Sequence, residues 1–177
     1  MKSCYSFSMK CKTGICIGIF LCGLFQTTHS QSSGSGKLYT SSVFTPAHGF
    51  TPGIEGPAGD KDGMVYVVNF EKQGTVGKVT PSGEASIFIE LPAGSVGNGI
   101  RFNADGNMLI ADYTNHNILK VEMPSGKLSV LANEPKMSQP NDIAIDKKGR
   151  LYASDPDWKA GTGRIWRIDL DGRVSLL

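Results

Sequence analysis

Residues 139–156 read QPNDIAIDKKGRLYASDP: a polar opening at Asn141 and Asp142, a short alternating run, a turn closed by Gly149, and a second run ending on Asp155. Apolar and polar residues alternating on either side of a tight turn are the mark of paired β-strands. The same pattern occurs twice earlier at a fixed distance. A step of 43 residues takes Asn141 to Asn98 and then to Glu55, Gly149 to Gly106 and Gly63, and Asp155 to Asp112 and Asn69. The turns are written DKDG, NADG and DKKG, and the strands after them MVYVVN, NMLIAD and RLYASD. The register holds through three copies without a gap. PSG recurs at Pro81 and Pro124, and DG at Asp171 takes that place in the third copy, about three residues late. The loop DWKAGTG is the simplest place for the extra residues.

Each unit offers four strand candidates, which in the third are DIAID, RLYASD, RIWRIDL and RVSLL. Four short strands in about 40 to 45 residues is the blade of a β-propeller, whereas a parallel β-helix would have much shorter rungs. The sequence therefore predicts an all-β chain with blades at about 54–96, 97–138 and 139–177. The segment GKLYTSSVFT, at about 37–46, resembles the outermost strands GKLSVLA and GRVSLL, and is expected to close a ring by completing the last blade. Three blades are fewer than the roughly 4 to 8 of closed propellers. The expectation is a truncated chain; the alternative is half-rings that self-assemble.

The first thirty residues are expected to lie outside the domain. Lys10 and Lys12 precede an apolar run, TGICIGIFLCGLF, from Thr13 to Phe25, too short to span a membrane comfortably and suited to an export signal. Residues 31–36 then read as a flexible linker. Export makes the expected location secreted or periplasmic, with no stable membrane insertion once the signal is cleaved. All four cysteines, at positions 4, 11, 16 and 22, fall within the signal, so the domain is expected to hold together without disulfides or thiolate-bound metal. Removing it also takes Lys2, Lys10 and Lys12, and the formal charge falls from +2 to −1. With basic residues scattered and no aromatics among them, no nucleic-acid partner is expected. There is no GxSxG elbow, no ligating histidine pair and no phosphate loop.

In a propeller the first strand of each blade lines the central channel, so Glu55, Asn98 and Asn141 are expected to meet near the axis. A carboxylate and amide oxygens converging on one point suit calcium, or magnesium with retained waters, and would also accept manganese or zinc. The competing reading is structural: Asn or Asp before a strand commonly bonds its own backbone in a turn. Near the third blade's loop, Asp155, Asp157 and Trp158 are placed to border a substrate mouth. The plainer alternative makes Asp155 a turn residue before Pro156, and Trp158 a packed anchor.

The stretches IEGPAGDKDGMVYVVNF (54–70), GNGIRFNADGNMLIADYTNHNILKV (97–121) and QPNDIAIDKKGRLYASDPDW (139–158) resemble the senescence marker protein (regucalcin), gluconolactonase and luciferin-regenerating enzyme family. The resemblance implies a six-bladed propeller with one divalent ion in its channel, and hydrolysis of a small-molecule sugar lactone or related ester. It implies that Glu55 is a metal ligand and that Asn141 contacts substrate, with Asn98 on the channel wall. The family's remaining ligands, an asparagine and an aspartate, come from later blades, so this chain alone is expected to be inactive. The second unit also resembles NHL repeats, with Asn115 and His116 at the signature pair. That resemblance implies a non-catalytic propeller binding a ligand or protein.

Overall fold

The computed structural model describes residues 39–177, and all of its strands lie in the unit Ser41–Leu177. The expected export signal (1–30) and linker (31–36) lie outside the described residues. Three four-stranded sheets follow one another along the chain. The first contains β1 (Ala58–Gly59), β2 (Val65–Val68), β3 (Thr75–Val79) and β4 (Ala85–Glu90). The second contains β5 (Gly97–Phe102), β6 (Met108–Asp112), β7 (Asn117–Glu122) and β8 (Lys127–Asn133). The third contains β9 (Ile143–Ile145), β10 (Leu151–Asp157), β11 (Thr162–Ile168) and β12 (Val174–Leu176). Every strand pairs antiparallel with its sequence neighbour, so each sheet is an up-and-down blade, as the repeat predicts. No helix of the described residues is long and apolar enough to cross a membrane.

The recurring turn between the first two strands of each blade is built from one side chain. Asp60 Oδ1 accepts the N–H groups of Asp62 and Met64 at 2.9 and 3.0 Å. Asn103 does the same for Asp105 and Asn107, and Asp146 for Lys148 and Arg150. The glycine that closes each turn has φ near +80°, a left-handed conformation that costs a residue without a Cβ little. In the first and third blades a tyrosine hydroxyl also donates to the turn carboxylate, Tyr66 to Asp60 and Tyr152 to Asp146, both at 3.2 Å. Burial, reinforced by the charge of Asp60, pushes the Tyr66 phenol up to about 12.

Burial alone would raise the Asp146 carboxyl, but hydrogen bonds from the Arg150 side chain, the Lys148 and Arg150 amides and Tyr152 outweigh it and hold it at about 2, against 3.8 for an ordinary aspartate. A depressed carboxyl stabilises the fold fully above its unfolded pKa, and that contribution is lost as pH falls through the folded one. Asp146→Asn is therefore expected to lower the urea midpoint at pH 6. The difference from wild type should begin to shrink below about pH 4 and vanish near pH 2. A gap that stays constant across that window would assign the stability to shape instead of charge.

Strand β6 is buried along its whole length because it has a blade on each side. Met108 and Ile110 pack with Tyr66, Val68 and Val76 of the first blade, while Leu109 and Ala111 pack with Ile143, Leu151, Ala153 and Trp166 of the third. This explains why NMLIAD reads as a continuous apolar run, where a sheet with one wet face would alternate. Before the first blade, Phe50 meets Phe70 edge-to-face at 5.0 Å, and Thr51 N–H donates to Asn69 O. Residues 41–49 form no strand; the ring-closing pairing expected of 37–46 would need a partner strand outside these three sheets.

Candidate functional site

Glu55, Asn98 and Asn141 line one cleft of about 250 Å³, together with Gly56, Pro57, Gly99, Arg101 and Asp142. The register thus brings the three expected residues to one place, at the start of the innermost strand of each blade. Glu55 is exposed, and Asn98 and Asn141 are half-buried. None of the three side chains makes a hydrogen bond among the described residues. That separates them from the turn residues Asp60, Asn103 and Asp146, whose side chains are spent on backbone amides.

The cleft is narrow because glycine backbones face the next blade. Gly56 sits at φ +58°, and a Cβ there would stand 2.0 Å from Asn98 O. A Cβ on Gly99 would stand 2.5 Å from Asp142 Oδ1 and 2.8 Å from Asn141 O, and Gly99 N–H donates to that same carbonyl at 2.7 Å. Asn141 N–H in turn donates to Ser154 O on β10 at 2.8 Å. Blade-to-blade backbone contact therefore fixes where these side chains stand.

A second register position carries the segment entering each inner strand. Asn69 Nδ2 donates to Gly53 O at 2.8 Å, two residues before Glu55. Asp112, fully buried, accepts from Ser95 Oγ at 2.7 Å, Asn117 Nδ2 at 2.9 Å and Val96 N at 3.3 Å, just before Asn98. Asp155 accepts from the Ser138 and Gln139 amides at 2.8 and 2.6 Å and from Trp166 Nε1 at 2.7 Å, just before Asn141. The strand-ending Asn or Asp of every unit is thus a positioning residue for the cleft residue of its own blade. Asp155 is not a turn residue, since β10 runs on through Pro156 to Asp157. Trp158 is not a packed anchor; it is 71% exposed, and its backbone N–H donates to Gln139 Oε1 at 3.4 Å. A larger cleft, of about 620 Å³, runs from Asn141 past Ser154 and Pro156 to Trp158 and Leu176. Asn115 of the NHL-like pair bonds Ala93 O and Ser95 Oγ, and so serves the loop between blades.

Two cleft residues have no role in the sequence reading: Arg101 is not named there, and Asp142 appears only as part of the polar opening of its strand. Arg101 Nη2 donates to Asp142 Oδ2 at 2.6 Å across the blade boundary, and Arg101 Nη1 donates to Ile100 O. Both depart from the repeat: the equivalents of Arg101 are Ala58 and Ala144, and those of Asp142 are Gly56 and Gly99. A search for breaks in the register would have found them.

One free carboxylate and two free amide groups are hard-oxygen donors, which fits part of the shell of a calcium or magnesium ion and leaves room for water or further ligands. Among the described residues no three His, Cys, Asp or Glu side chains are grouped to hold a metal. The fit therefore depends on the asparagine oxygens.

Residues 54–177 match the family described as SMP-30/Gluconolactonase/LRE-like region. The gluconolactonase of Zymomonas mobilis subsp. mobilis is 26% identical over 148 residues, covering 70% of this chain and 42% of that protein. The chain thus spans less than half the length of this curated relative. Among solved structures, a chain of a nidogen/laminin complex aligns with a TM-score of 0.63 at 21% identity, covering 76% of this chain and 51% of that one. Regucalcin, a calcium-binding protein of Agrobacterium tumefaciens, aligns with a TM-score of 0.55 at 23% identity, covering 70% and 42%. At these identities the structural likeness shows the fold, and the three blades match about half of a six-bladed propeller. With its register, its blades and more than two thirds of its length matched, this chain belongs to the SMP-30/gluconolactonase/LRE-like family.

Proposed function

We propose that this chain supplies three blades of an exported, divalent-metal-dependent hydrolase of sugar lactones or related esters. The observation that carries the reading is the convergence of Glu55, Asn98 and Asn141 on one cleft with no partner among the described residues for any of their side chains. Glu55 would hold the ion, with calcium the best match to these donors and magnesium, manganese or zinc the alternatives. A bound divalent ion polarises the acyl carbonyl and lowers the pKa of its water. Asn98 and Asn141 each present a donor and an acceptor to the substrate's ring and hydroxyl oxygens. Glu55 is the one carboxylate of the cleft free of a protein partner, and no second one is available as a base. The three blades on their own are therefore expected to be inactive, with the missing groups supplied by the remainder of a closed ring.

The test is a lactonase assay with a titrated divalent ion, run on the full-length protein and on Glu55→Gln. Loss of one ligand charge should weaken metal binding and activity together by about tenfold or more, with the fold unchanged by circular dichroism. Undiminished metal binding and hydrolysis in Glu55→Gln would reject the reading. A wild-type ring that folds and binds small molecules without hydrolysing any lactone would favour the non-catalytic, NHL-like alternative.

A further inference from the structure

We propose that Arg101 sets the cation affinity of the cleft by withholding the Asp142 carboxylate from it. The inference rests on the reading of Glu55 as a metal ligand, and extends it to the two residues that break the repeat. Arg101 and Asp142 line the same cleft as Glu55, Asn98 and Asn141. Without Arg101, that cleft would hold two carboxylates and two amides, a far stronger oxygen-donor set than the one it shows.

The guanidinium is pinned at both ends. Its Nη1 donates to its own strand at Ile100 O and its Nη2 to Asp142 Oδ2, both at 2.6 Å. The other carboxylate oxygen, Oδ1, accepts from Ile143 N at 2.8 Å, and the Asp142 amide donates to Ser154 Oγ at 3.1 Å. A divalent ion drawn to Asp142 would have to share its oxygens with a fixed cation. Arg101 opposes such an ion twice, by occupying the carboxylate and by adding positive charge to the cleft. Glu55 escapes this capture, so the first and third blades contribute a free and a masked carboxylate respectively.

The pair is half-exposed, with side-chain exposures of 39% and 48%, so it contributes little to folding. The repeat itself shows what replaces the arginine without harm: Ala58 and Ala144 stand at the same register position. Arg101→Ala is accordingly expected to fold normally and to gain function, an outcome that misfolding cannot imitate.

The experiment is a calcium titration of the full chain by calorimetry, repeated with terbium luminescence, on wild type, Arg101→Ala, Arg101→Lys, Asp142→Asn and the double variant Arg101→Ala/Asp142→Asn. Arg101→Ala should bind about tenfold tighter than wild type, the order expected for releasing one carboxylate charge to a divalent ion a few ångströms away in a solvated cleft. Arg101→Lys should stay near wild type. The double variant should lose most of the gain, since the released carboxylate is its source. Glu55→Gln, made in the wild-type and Arg101→Ala backgrounds, separates the two levels of the argument. If it weakens binding while Arg101→Ala fails to tighten it, the role of Arg101 is overturned and the site stands. If Glu55→Gln changes nothing in either background, the site reading fails and this inference falls with it. A gain in Arg101→Ala that survives Asp142→Asn would also overturn the proposal, because the masked carboxylate would not be its cause.

Discussion

Gly56→Ala is expected to destabilise the protein by about 3–5 kcal/mol, the sum of a strained left-handed backbone and a forced separation of two blades. The added Cβ would stand 2.0 Å from Asn98 O and 2.9 Å from Ile100 N, both backbone atoms with no rotamer to yield. Relief requires moving β5 away from the first blade, which opens the apolar contacts among Tyr66, Val68, Ile100 and Ile110. Gly106→Ala provides the control. Gly106 has a similar left-handed φ of +80°, yet nothing lies within 4 Å of its missing Cβ. It should cost only about 1 kcal/mol, the conformational part alone. Urea denaturation of the two variants separates close approach from backbone strain. Equal losses would show that the blades do not touch as tightly at Gly56 as described.

Asp155→Ala is expected to cost about as much, 3–5 kcal/mol, for a different reason. The carboxylate is 1% exposed and holds three N–H groups, those of Ser138, Gln139 and the Trp166 indole. Removing it leaves these donors in a region closed to water, each a penalty of about 1–3 kcal/mol if no replacement acceptor arrives. Arg164, whose Nε lies 3.6 Å from Asp155 Oδ2, would lose its nearest charge as well. Because Ser138 and Gln139 lead directly into Asn141, the damage should reach the cleft. Amide hydrogen exchange at residues 138–143 should rise more than at β2, in the first blade. A loss below 1 kcal/mol in urea would mean that water or a neighbouring group replaces the carboxylate without difficulty.

The parts of this fold that were legible in the sequence are those in which one solution is used three times. Gly63, Gly106 and Gly149 announce the turns because each must adopt a positive φ, and the runs MVYVVN, NMLIAD and RLYASD announce the strands that follow them. Convergence of Glu55, Asn98 and Asn141 followed from the same register. What was not legible is what occurs once. Arg101 and Asp142 are exceptions to the pattern, and a reading tuned to recurrence passes over the first and gives the second no partner. Asp155 misled because Pro156 follows it, and proline usually marks the end of a strand. Here β10 continues through Pro156 opposite Gly163, and the aspartate is buried inside the blade. Trp158 misled because a large aromatic in a loop suggests packing, and only the path of the chain shows that this ring points to solvent.

The third unit carries about three more residues than the others, and its middle hairpin is longer: β10 and β11 have seven residues each, against five in β6 and six in β7, while the loop that joins them, which holds Trp158, has four residues as in the second blade. The strand ends on either side keep their pairing, Asp157 opposite Thr162, and Asn141 stays in register with Asn98 and Glu55. Length has been added as further rungs at the outer end of the hairpin, and the ladder beneath has not slipped. Such a scaffold can lengthen, shorten or redecorate the rim around the cleft while its centre stays fixed. Diversification among such rings should then run outward from a conserved geometry, with new rim loops tried one blade at a time.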